Sequence, residues 1–169
     1  MSKTFLISDM HFGHKKIMTY ENRPFASIEN MDAAIIKNWN NTVSKTDKIF
    51  IAGDVSFYGK DKTAEIIQKL NGKKILVKGN HDERGNNWWA DVGFDEVSNY
   101  PIIYRERFVI QHEPPEYNIE TTPYFYIYGH VHGDEKYKTI TQKTACVCVE
   151  RWNYTPVELE KIIESAKFI

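Results

Sequence analysis

Residues 73–82 read KKILVKGNHD, and this stretch decides what kind of fold the chain can form. Its short apolar run, 75–77, is typical of a buried strand. The run ends in the polar turn GNHD at 79–82. The same pattern of apolar run and polar turn occurs earlier in KTFLISD at 3–9 and in KIFIAGD at 48–54. The pattern predicts three buried strands, each ending in a loop that carries carboxylate, amide or imidazole groups.

Helical patterns separate these three strands. Residues 27–43 place apolar side chains at the spacing of one helix face, with Ser27 as a candidate N-cap. Residues 60–70 form a second amphipathic pattern that Gly72 ends. Strands alternating with helices predict a parallel sheet with crossover helices. In such sheets, ligands bind at the carboxyl ends of the strands.

The second half of the chain contains β-prone segments with few helices between them. We expect these segments to form a second, mostly antiparallel sheet, followed by a closing helix over 155–168 with Thr155 as its cap and Pro156 in its first turn. The whole is predicted to be one α/β domain over residues 1–169. Its architecture would be a four-layer αββα sandwich, with two mixed sheets face to face and helices outside. The segments are FDEVSNY (94–100), PIIYRERFVIQH (101–112), YFYIYGHVHG (124–133) and KTACVCVE (143–150).

Composition excludes several classes of protein. The chain has 169 residues, is 41% hydrophobic and has a formal net charge of −1, which suits one globular domain without a general attraction to nucleic acid or anionic membranes. No stretch approaches the ~20 apolar residues of a membrane span, and the N-terminus does not resemble a signal peptide. Cys146 and Cys148 are expected to be two buried thiols on one face of a strand. Together these features predict a cytoplasmic protein.

The polar residues that follow the strands include all six histidines of the chain. Mixed carboxylate and imidazole donors suit Mn, Fe, Zn, Co or Ni better than Mg or Ca. Taken singly, each residue could be a turn former, a cap or a solvated loop residue. Taken together, the residues are too many for one tetrahedral zinc ion and fit two metal ions that share a carboxylate. Asp54, alone on its strand, is the natural bridge. The candidate ligands are Asp9, His11, Asp54, Asn80, His112, His130 and His132.

The order of these motifs resembles the calcineurin-like metallophosphoesterases, and the short chain is similar to their small bacterial and phage members. The motifs are SDMH (8–11), GDV (53–55), GNHD (79–82), QHEP (111–114) and GHVH (129–132). The resemblance implies two divalent transition-metal ions, manganese first, with iron, zinc, nickel or cobalt as alternatives. The first ion would be held by Asp9, His11, Asp54 and His132, and the second by Asp54, Asn80, His112 and His130.

The resemblance also implies a hydrolytic reaction and roles for two further residues. A hydroxide bridging the two metals would attack phosphorus, and His81 would protonate the leaving oxygen, with Asp82 orienting the His81 ring. Phosphodiesters are favoured over phosphomonoesters because no large cap domain separates the motifs. His14 is expected near the site without being a metal ligand, with a supporting or helix residue as the alternative. The candidates for substrate contact are His14 and the loop residues Arg23 and Arg84, with solvated surface arginines as the alternative for the last two.

Other functions remain open at this point. A nuclease acting on nucleic-acid ends is the enzymatic alternative, although the chain has no long basic run. A non-catalytic metal-binding interaction module would need broken ligands, and a metal-storage or sensor protein would not need the His81–Asp82 pair. Trp88 and Trp89 cannot face the same way on a helix, so one could stack on a base or pack against a loop. The expected partner is a small phosphoester or nucleotide. We expect no membrane binding and no strong nucleic-acid binding, and the chain could form an oligomer.

Overall fold

The computed structural model describes residues 2–167 and contains two β-sheets. The strands are β1 (Thr4–Ile7), β2 (Lys48–Ala52), β3 (Lys73–Val77), β4 (Glu96–Ser98), β5 (Ile102–Tyr104), β6 (Phe108–Ile110), β7 (Phe125–Tyr128), β8 (Thr144–Cys146) and β9 (Val157–Glu158). The α-helices are α1 (Ile17–Tyr20), α2 (Ile28–Thr42), α3 (Lys60–Lys69), α4 (Asn86–Val92) and α5 (Leu159–Ala166), and a 3₁₀ helix covers Val149–Trp152.

The first sheet has the order β4-β3-β2-β1-β9. The predicted parallel pairing of β1, β2 and β3 is confirmed, with α2 and α3 as the crossovers. The prediction that residues 94–100 belong to the second sheet was wrong, because β4 pairs in parallel with β3. The connection through α4 supplies the long crossover that a parallel neighbour requires.

The second sheet has the order β5-β6-β7-β8 and is mixed rather than mostly antiparallel. Among the described strands of this sheet, only β5 and β6 form an antiparallel pair, since the short turn at 105–107 joins them as a hairpin. β6, β7 and β8 run parallel because long loops, 111–124 and 129–143, return the chain to the same end of the sheet. The prediction of two mixed sheets in an αββα-type sandwich is confirmed.

The closing helix begins later than predicted. β9 pairs antiparallel with β1, with Val157 opposite Leu6, and α5 begins only at Leu159. The predicted cap Thr155 therefore precedes a strand, because pairing with the edge of β1 outweighs the helical pattern. Phe168, at the end of the predicted helix, lies outside the described residues. By contrast, Ser27 is confirmed as the N-cap of α2, where its Oγ accepts a hydrogen bond from the Asn30 amide at 3.2 Å.

Alternating side chains of the first sheet form two apolar clusters. Phe5 and Ile7 pack beneath the layer of α2, α3 and α4, whereas Leu6 faces the second sheet. α5 packs on the cluster between the sheets. The outward tyrosines of β7 meet rings from loops, Tyr126 with Tyr117 and Tyr128 with Tyr137. Within residues 2–167, no helix is long and apolar enough to cross a membrane.

A short bridge joins the two sheets where their loops carry the predicted ligands. The Ser8 amide donates to the Val147 carbonyl at 3.0 Å, and the Val149 amide donates to the Ser8 carbonyl at 3.2 Å. The chain after β1 thus runs alongside the chain after β8. This pairing brings loops from both sheets to one rim.

Candidate metal centre

The seven predicted ligands meet at this rim, and Asp54 lies in their middle. Its Oδ2 atom is 3.5 Å from His11 Nε2, and its Oδ1 atom is 3.6 Å from His112 Nε2. These two histidines belong to the two different predicted metal sites. A carboxylate with one oxygen toward each histidine is placed to bridge two cations.

The first donor cluster is formed by Asp9, His11 and His132. Asp9 Oδ1 lies 3.9 Å from His11 Nε2 and 3.6 Å from His132 Nε2. Asp9 Oδ2 accepts hydrogen bonds from the His130 amide and the Cys148 thiol, but the buried atoms Asp9 Oδ1 and His11 Nε2 have no hydrogen-bond partner among the described residues. Since buried polar atoms are almost always paired, these two atoms fit a bound cation.

The charge state of Asp9 agrees with this assignment. Burial disfavours its ionised form, but the neighbouring His11 ring and the charges of His132 and His112 hold the pKa of the Asp9 carboxyl well below its usual range. Asp9 is therefore an anion at neutral pH even though it is fully buried. A buried carboxylate of this kind needs a positive partner.

The second donor cluster is formed by Asn80, His112 and His130. Asn80 Oδ1 is 2.9 Å from His112 Nε2 and 3.1 Å from His130 Nδ1, and the two ring nitrogens are 3.1 Å apart. Three potential ligand atoms thus lie within 3.1 Å of one another. Ligand atoms of Asp9, Asp54 and His112 also lie within 4.8 Å of one another.

Hydrogen bonds behind the rings set which nitrogen is free in two of the histidines. His112 Nδ1 is 2.8 Å from the Ala52 carbonyl, and His132 Nδ1 is 3.0 Å from Glu150 Oε1. Each Nδ1 must carry the proton because these oxygens only accept, which leaves the Nε2 lone pair for a metal. Although burial disfavours the imidazolium, the hydrogen bond to Glu150 and the charge of Asp9 raise the pKa of His132.

The backbone at the rim adopts unusual conformations. Five of the predicted ligands have positive φ angles between 46° and 70°, a region that non-glycine residues rarely occupy. They are Asp9, His11, Asp54, His130 and His132. Such conformations cluster at functional sites, where the surrounding structure holds side chains in place at some cost in stability.

Glycines of the motifs provide room for the ligands. A Cβ atom at Gly129 would collide with the Asp9 carboxylate, and one at Gly79 would collide with Asp54 Oδ1. In each case the backbone after one strand packs directly on a ligand that follows another strand. These glycines therefore set the spacing between the loops.

His81 lies at the open side of the centre rather than within either donor cluster. Its side chain is 47% exposed, and its Nε2 atom is 3.9 Å from Asp54 Oδ2. The predicted contact between Asp82 and the His81 ring is not what the structure shows. The buried Asp82 carboxylate instead accepts hydrogen bonds from the backbone amides of Asp54, Val55 and Gly79, at 2.8, 3.1 and 2.9 Å.

Asp82 therefore joins the loop after β2 to the loop after β3. An aspartate three residues after Gly79 can bond back to its own turn, which fixes the carboxylate away from the neighbouring ring. Burial raises the pKa of Asp82 to about 6, although its bonds to the Gly79 and Val55 amides oppose that shift.

His14 packs against the first donor cluster. Its Nδ1 atom is 3.2 Å from His11 Nδ1, and its ring stacks on Phe57 with centroids 3.9 Å apart. Burial, followed by the charges of His11 and His81, lowers the pKa of His14 to about 4. His14 is thus a neutral ring at pH 7 that contacts a candidate ligand.

The two predicted substrate arginines occupy different positions. Arg23 is only 4% exposed and donates to the carbonyls of Met10 and Asp9 at 2.9 and 2.7 Å, and to Glu150 Oε1 at 2.6 Å. It lies beneath the centre, where it holds the carboxylate that orients His132. Arg84 is exposed beside His81.

Sequence reasoning missed Glu150 and Phe57. Glu150 ends the apolar run TACVCV at 144–149, so it follows a strand as the other site residues do, but no histidine or glycine marks it. Nothing in the sequence marked Phe57 as a site residue, because single aromatic residues in loops are common. The prediction that Cys146 and Cys148 are buried free thiols is confirmed.

Comparison with known proteins supports one family. The sequence profile of the calcineurin-like phosphoesterases matches residues 2–159. The uncharacterized protein MJ1445 of Methanocaldococcus jannaschii is 35% identical, over 100% of this chain and 96% of that protein. The Gene 66 protein of Mycobacterium phage L5 is 38% identical over 85 residues, which cover 48% of this chain and 41% of the phage protein.

Two solved structures share the fold. A protein of unknown function from Aquifex aeolicus, AQ665, superposes with a TM-score of 0.74 over 98% of this chain and 100% of that one, at 22% identity. The Pseudomonas putida nuclease MPE superposes with a TM-score of 0.52 over 76% of this chain and 61% of the nuclease, at 20% identity. With the motifs in order on one rim and the family profile matched along nearly the whole fold, this chain belongs to the calcineurin-like phosphoesterase family.

Proposed function

We propose that the protein is a dinuclear metal-dependent phosphoesterase that hydrolyses phosphodiesters. The observation that supports this most is the position of Asp54, which presents one carboxylate oxygen to each of two donor clusters. A protein that stored or sensed one ion would not need a shared carboxylate between two clusters.

The residues present fit two divalent cations. Asp9, His11, Asp54 and His132 would hold the first, and Asp54, Asn80, His112 and His130 the second. Manganese is the first choice, with iron, zinc, nickel or cobalt as alternatives. Bound there, the pair would neutralise phosphate charge and supply a water acidified toward neutral pH as the nucleophile.

The chain's own residues would perform the remaining steps. His81 is exposed beside the donor clusters, and we assign it the transfer of a proton to the leaving oxygen. Glu150 and Ala52 hold the protons on the Nδ1 atoms of His132 and His112, so the opposite nitrogens stay free. Asp82 fixes the two loops that carry Asp54 and His81 relative to each other.

The open rim supports diesters over monoesters. His81 is 47% exposed, and no separate domain covers it within residues 2–167, so a substrate with groups on both sides of phosphorus can enter. The second candidate is a nuclease that acts on nucleic-acid ends. The shared fold of the nuclease MPE supports this candidate, whereas the net charge of −1 does not favour tight duplex binding.

Two variants separate metal binding from proton transfer. We expect His81→Ala to keep both metals but to lose ~2–4 orders of magnitude in turnover of a diester with a poor leaving group. Asp54→Ala should instead lose metal, which metal analysis of the purified protein would show. Activated nitrophenyl esters need little protonation, so they serve as the control on which His81→Ala is much less impaired. Full activity of His81→Ala on an alkyl diester would exclude the proton-donor role.

A further inference from the structure

A cleft of about 350 Å³ opens beside His81, outside the two donor clusters. Its volume lies within the ~300–1,000 Å³ range of small-molecule sites, and it suits one nucleoside rather than a duplex. Besides His81, its wall includes Phe57, Tyr58, Glu83, Arg84, Trp88 and Trp89. None of the seven candidate ligands lines it, so the cleft is separate from the place where a phosphate would bind the metals.

Phe57 makes one wall of this cleft aromatic. It remains 43% exposed although His14 stacks on it, which is unusual for a phenylalanine. Its ring centroid is 5.1 Å from that of His81. A flat group bound against Phe57 would therefore lie next to the proposed proton donor.

Three polar side chains of the cleft have no partner within residues 2–167, whereas Ser56 is hydrogen-bonded to Thr63 and Tyr58 to Asp32. Arg84 and Glu83 make no hydrogen bond or ion pair with any residue in 2–167, so one donor and one acceptor face the cleft unpaired. The indole N–H of Trp89, a residue that is 1% exposed, also has no hydrogen-bond partner there. Nucleobases carry donors and acceptors along the edges of a flat ring, and they match this combination of an aromatic wall and unpaired polar groups.

A second cleft of about 240 Å³ lies on the other side of the centre and is the alternative position for a bound base. It is lined by Tyr100, Asn80 and His112, among others, and Tyr100 is 76% exposed. His81 lines the first cleft and not the second. The group that receives a proton from His81 must lie on the side of the first cleft.

We propose that the Phe57 cleft binds the base of a nucleoside that leaves from phosphorus. The proposal rests on the phosphodiesterase function proposed above. In the reaction, the oxygen of water bonds to phosphorus and the water releases one proton to solvent, while the bond between phosphorus and the nucleoside oxygen breaks. That oxygen takes the proton of His81 and leaves as the alcohol, and His81 regains a proton from solvent. Phe57 stacks on the base and Arg84 contacts its edge.

Binding of the base is tested with two phosphonates whose methylene group replaces the ester oxygen and prevents hydrolysis. One is the analogue of AMP and the other the analogue of ribose 5-phosphate, and both are titrated calorimetrically into the manganese-loaded protein. We expect the AMP analogue to bind about 5- to 150-fold more tightly, the contribution of one stacked base. Phe57→Ala should abolish this preference, Phe57→Tyr should retain it, and the matched variant Tyr100→Ala should leave it unchanged.

Adenosine 5′-(methyl phosphate) tests whether the nucleoside is the group that leaves, because its two alkoxides have similar leaving ability. We expect the wild type to release mainly adenosine and methyl phosphate, and Phe57→Ala to shift the products toward AMP and methanol. Wild-type release of AMP and methanol would overturn the proposal, as would a base preference that Tyr100→Ala removes and Phe57→Ala does not.

Bis-p-nitrophenyl phosphate distinguishes this proposal from the proposed function. If that ester is hydrolysed but the two phosphonates bind equally, the phosphodiesterase function stands and the base site is overturned. If no diester is hydrolysed with any divalent ion, the proposed function and the leaving-group assignment both fail, even where the base preference is present.

Discussion

Gly129 shows how a single residue controls the centre. It has no side chain, and a Cβ atom there would meet the Asp9 carboxylate and the Ser8 side chain. We expect Gly129→Ala to displace Asp9 and to weaken metal binding at the first cluster by more than tenfold. Isothermal titration with Mn²⁺ would measure the loss.

Gly59 is the matched control for this substitution. A Cβ atom at Gly59 meets no atom within 4 Å, and its φ angle of −68° suits any residue. Gly59→Ala should therefore bind manganese as the wild type does. Equal manganese affinity in Gly129→Ala and Gly59→Ala would contradict the packing role of Gly129.

At the scale of elements, Arg23 joins three parts of the chain. Its guanidinium connects the loop after α1 to the backbone after β1 and to Glu150 of the 3₁₀ helix. We expect Arg23→Ala to lower the free energy of unfolding by about 3–5 kcal/mol, because the carboxylate of Glu150 loses its guanidinium partner and keeps only the His132 ring. Urea denaturation would measure this change.

Arg84 provides the comparison, because it is exposed and unpaired among the described residues. Arg84→Ala should change the free energy of unfolding by less than about 0.5 kcal/mol. Both arginines were candidates for substrate contact on the sequence alone. If both variants proved equally stable, the structural role of Arg23 would be wrong.

Local patterns predicted some elements well and others poorly. Apolar runs and the Ser27 cap located β1, β2, β3 and α2, since periodicity and capping are properties of neighbouring residues. The partners of short strands were not predictable in this way. β4 and β9 contain three and two residues, and their places depend on which edge of the first sheet is free.

The sequence predicted which residues form the candidate site but not the hydrogen bonds that connect them. Motif order placed the seven ligands and His81 at one rim, since each follows an apolar run. The reach of Asp82 to three backbone amides and of Arg23 to Glu150 depends on how loops from separate strands pack. Phe57 belongs to the proposed base site only because the fold places it beside His81.

At the scale of the whole molecule, the metal centre would connect the two sheets. Asp9, Asp54 and Asn80 follow strands of the first sheet, whereas His112 and His130 follow strands of the second. Metal binding should therefore stabilise the entire domain. At manganese concentrations 100 times the Kd, we expect a gain of about 2.7 kcal/mol per site, or roughly 5–11 °C in Tm.

Thermal unfolding followed by circular dichroism would measure this gain after removal of metal with EDTA and again after addition of Mn²⁺. The Asp54→Ala variant is the control and should show a much smaller increase. Identical melting curves with and without bound manganese would show that the ligands do not connect the sheets.

The central claim is that two cations share Asp54 and together support phosphodiester hydrolysis. The most direct test combines metal analysis of the purified protein with an assay in Mn²⁺ on bis-p-nitrophenyl phosphate and p-nitrophenyl phosphate. We predict two equivalents of bound metal per chain and faster cleavage of the diester. Absence of bound metal, together with no hydrolysis of either ester under any divalent ion, would contradict the claim.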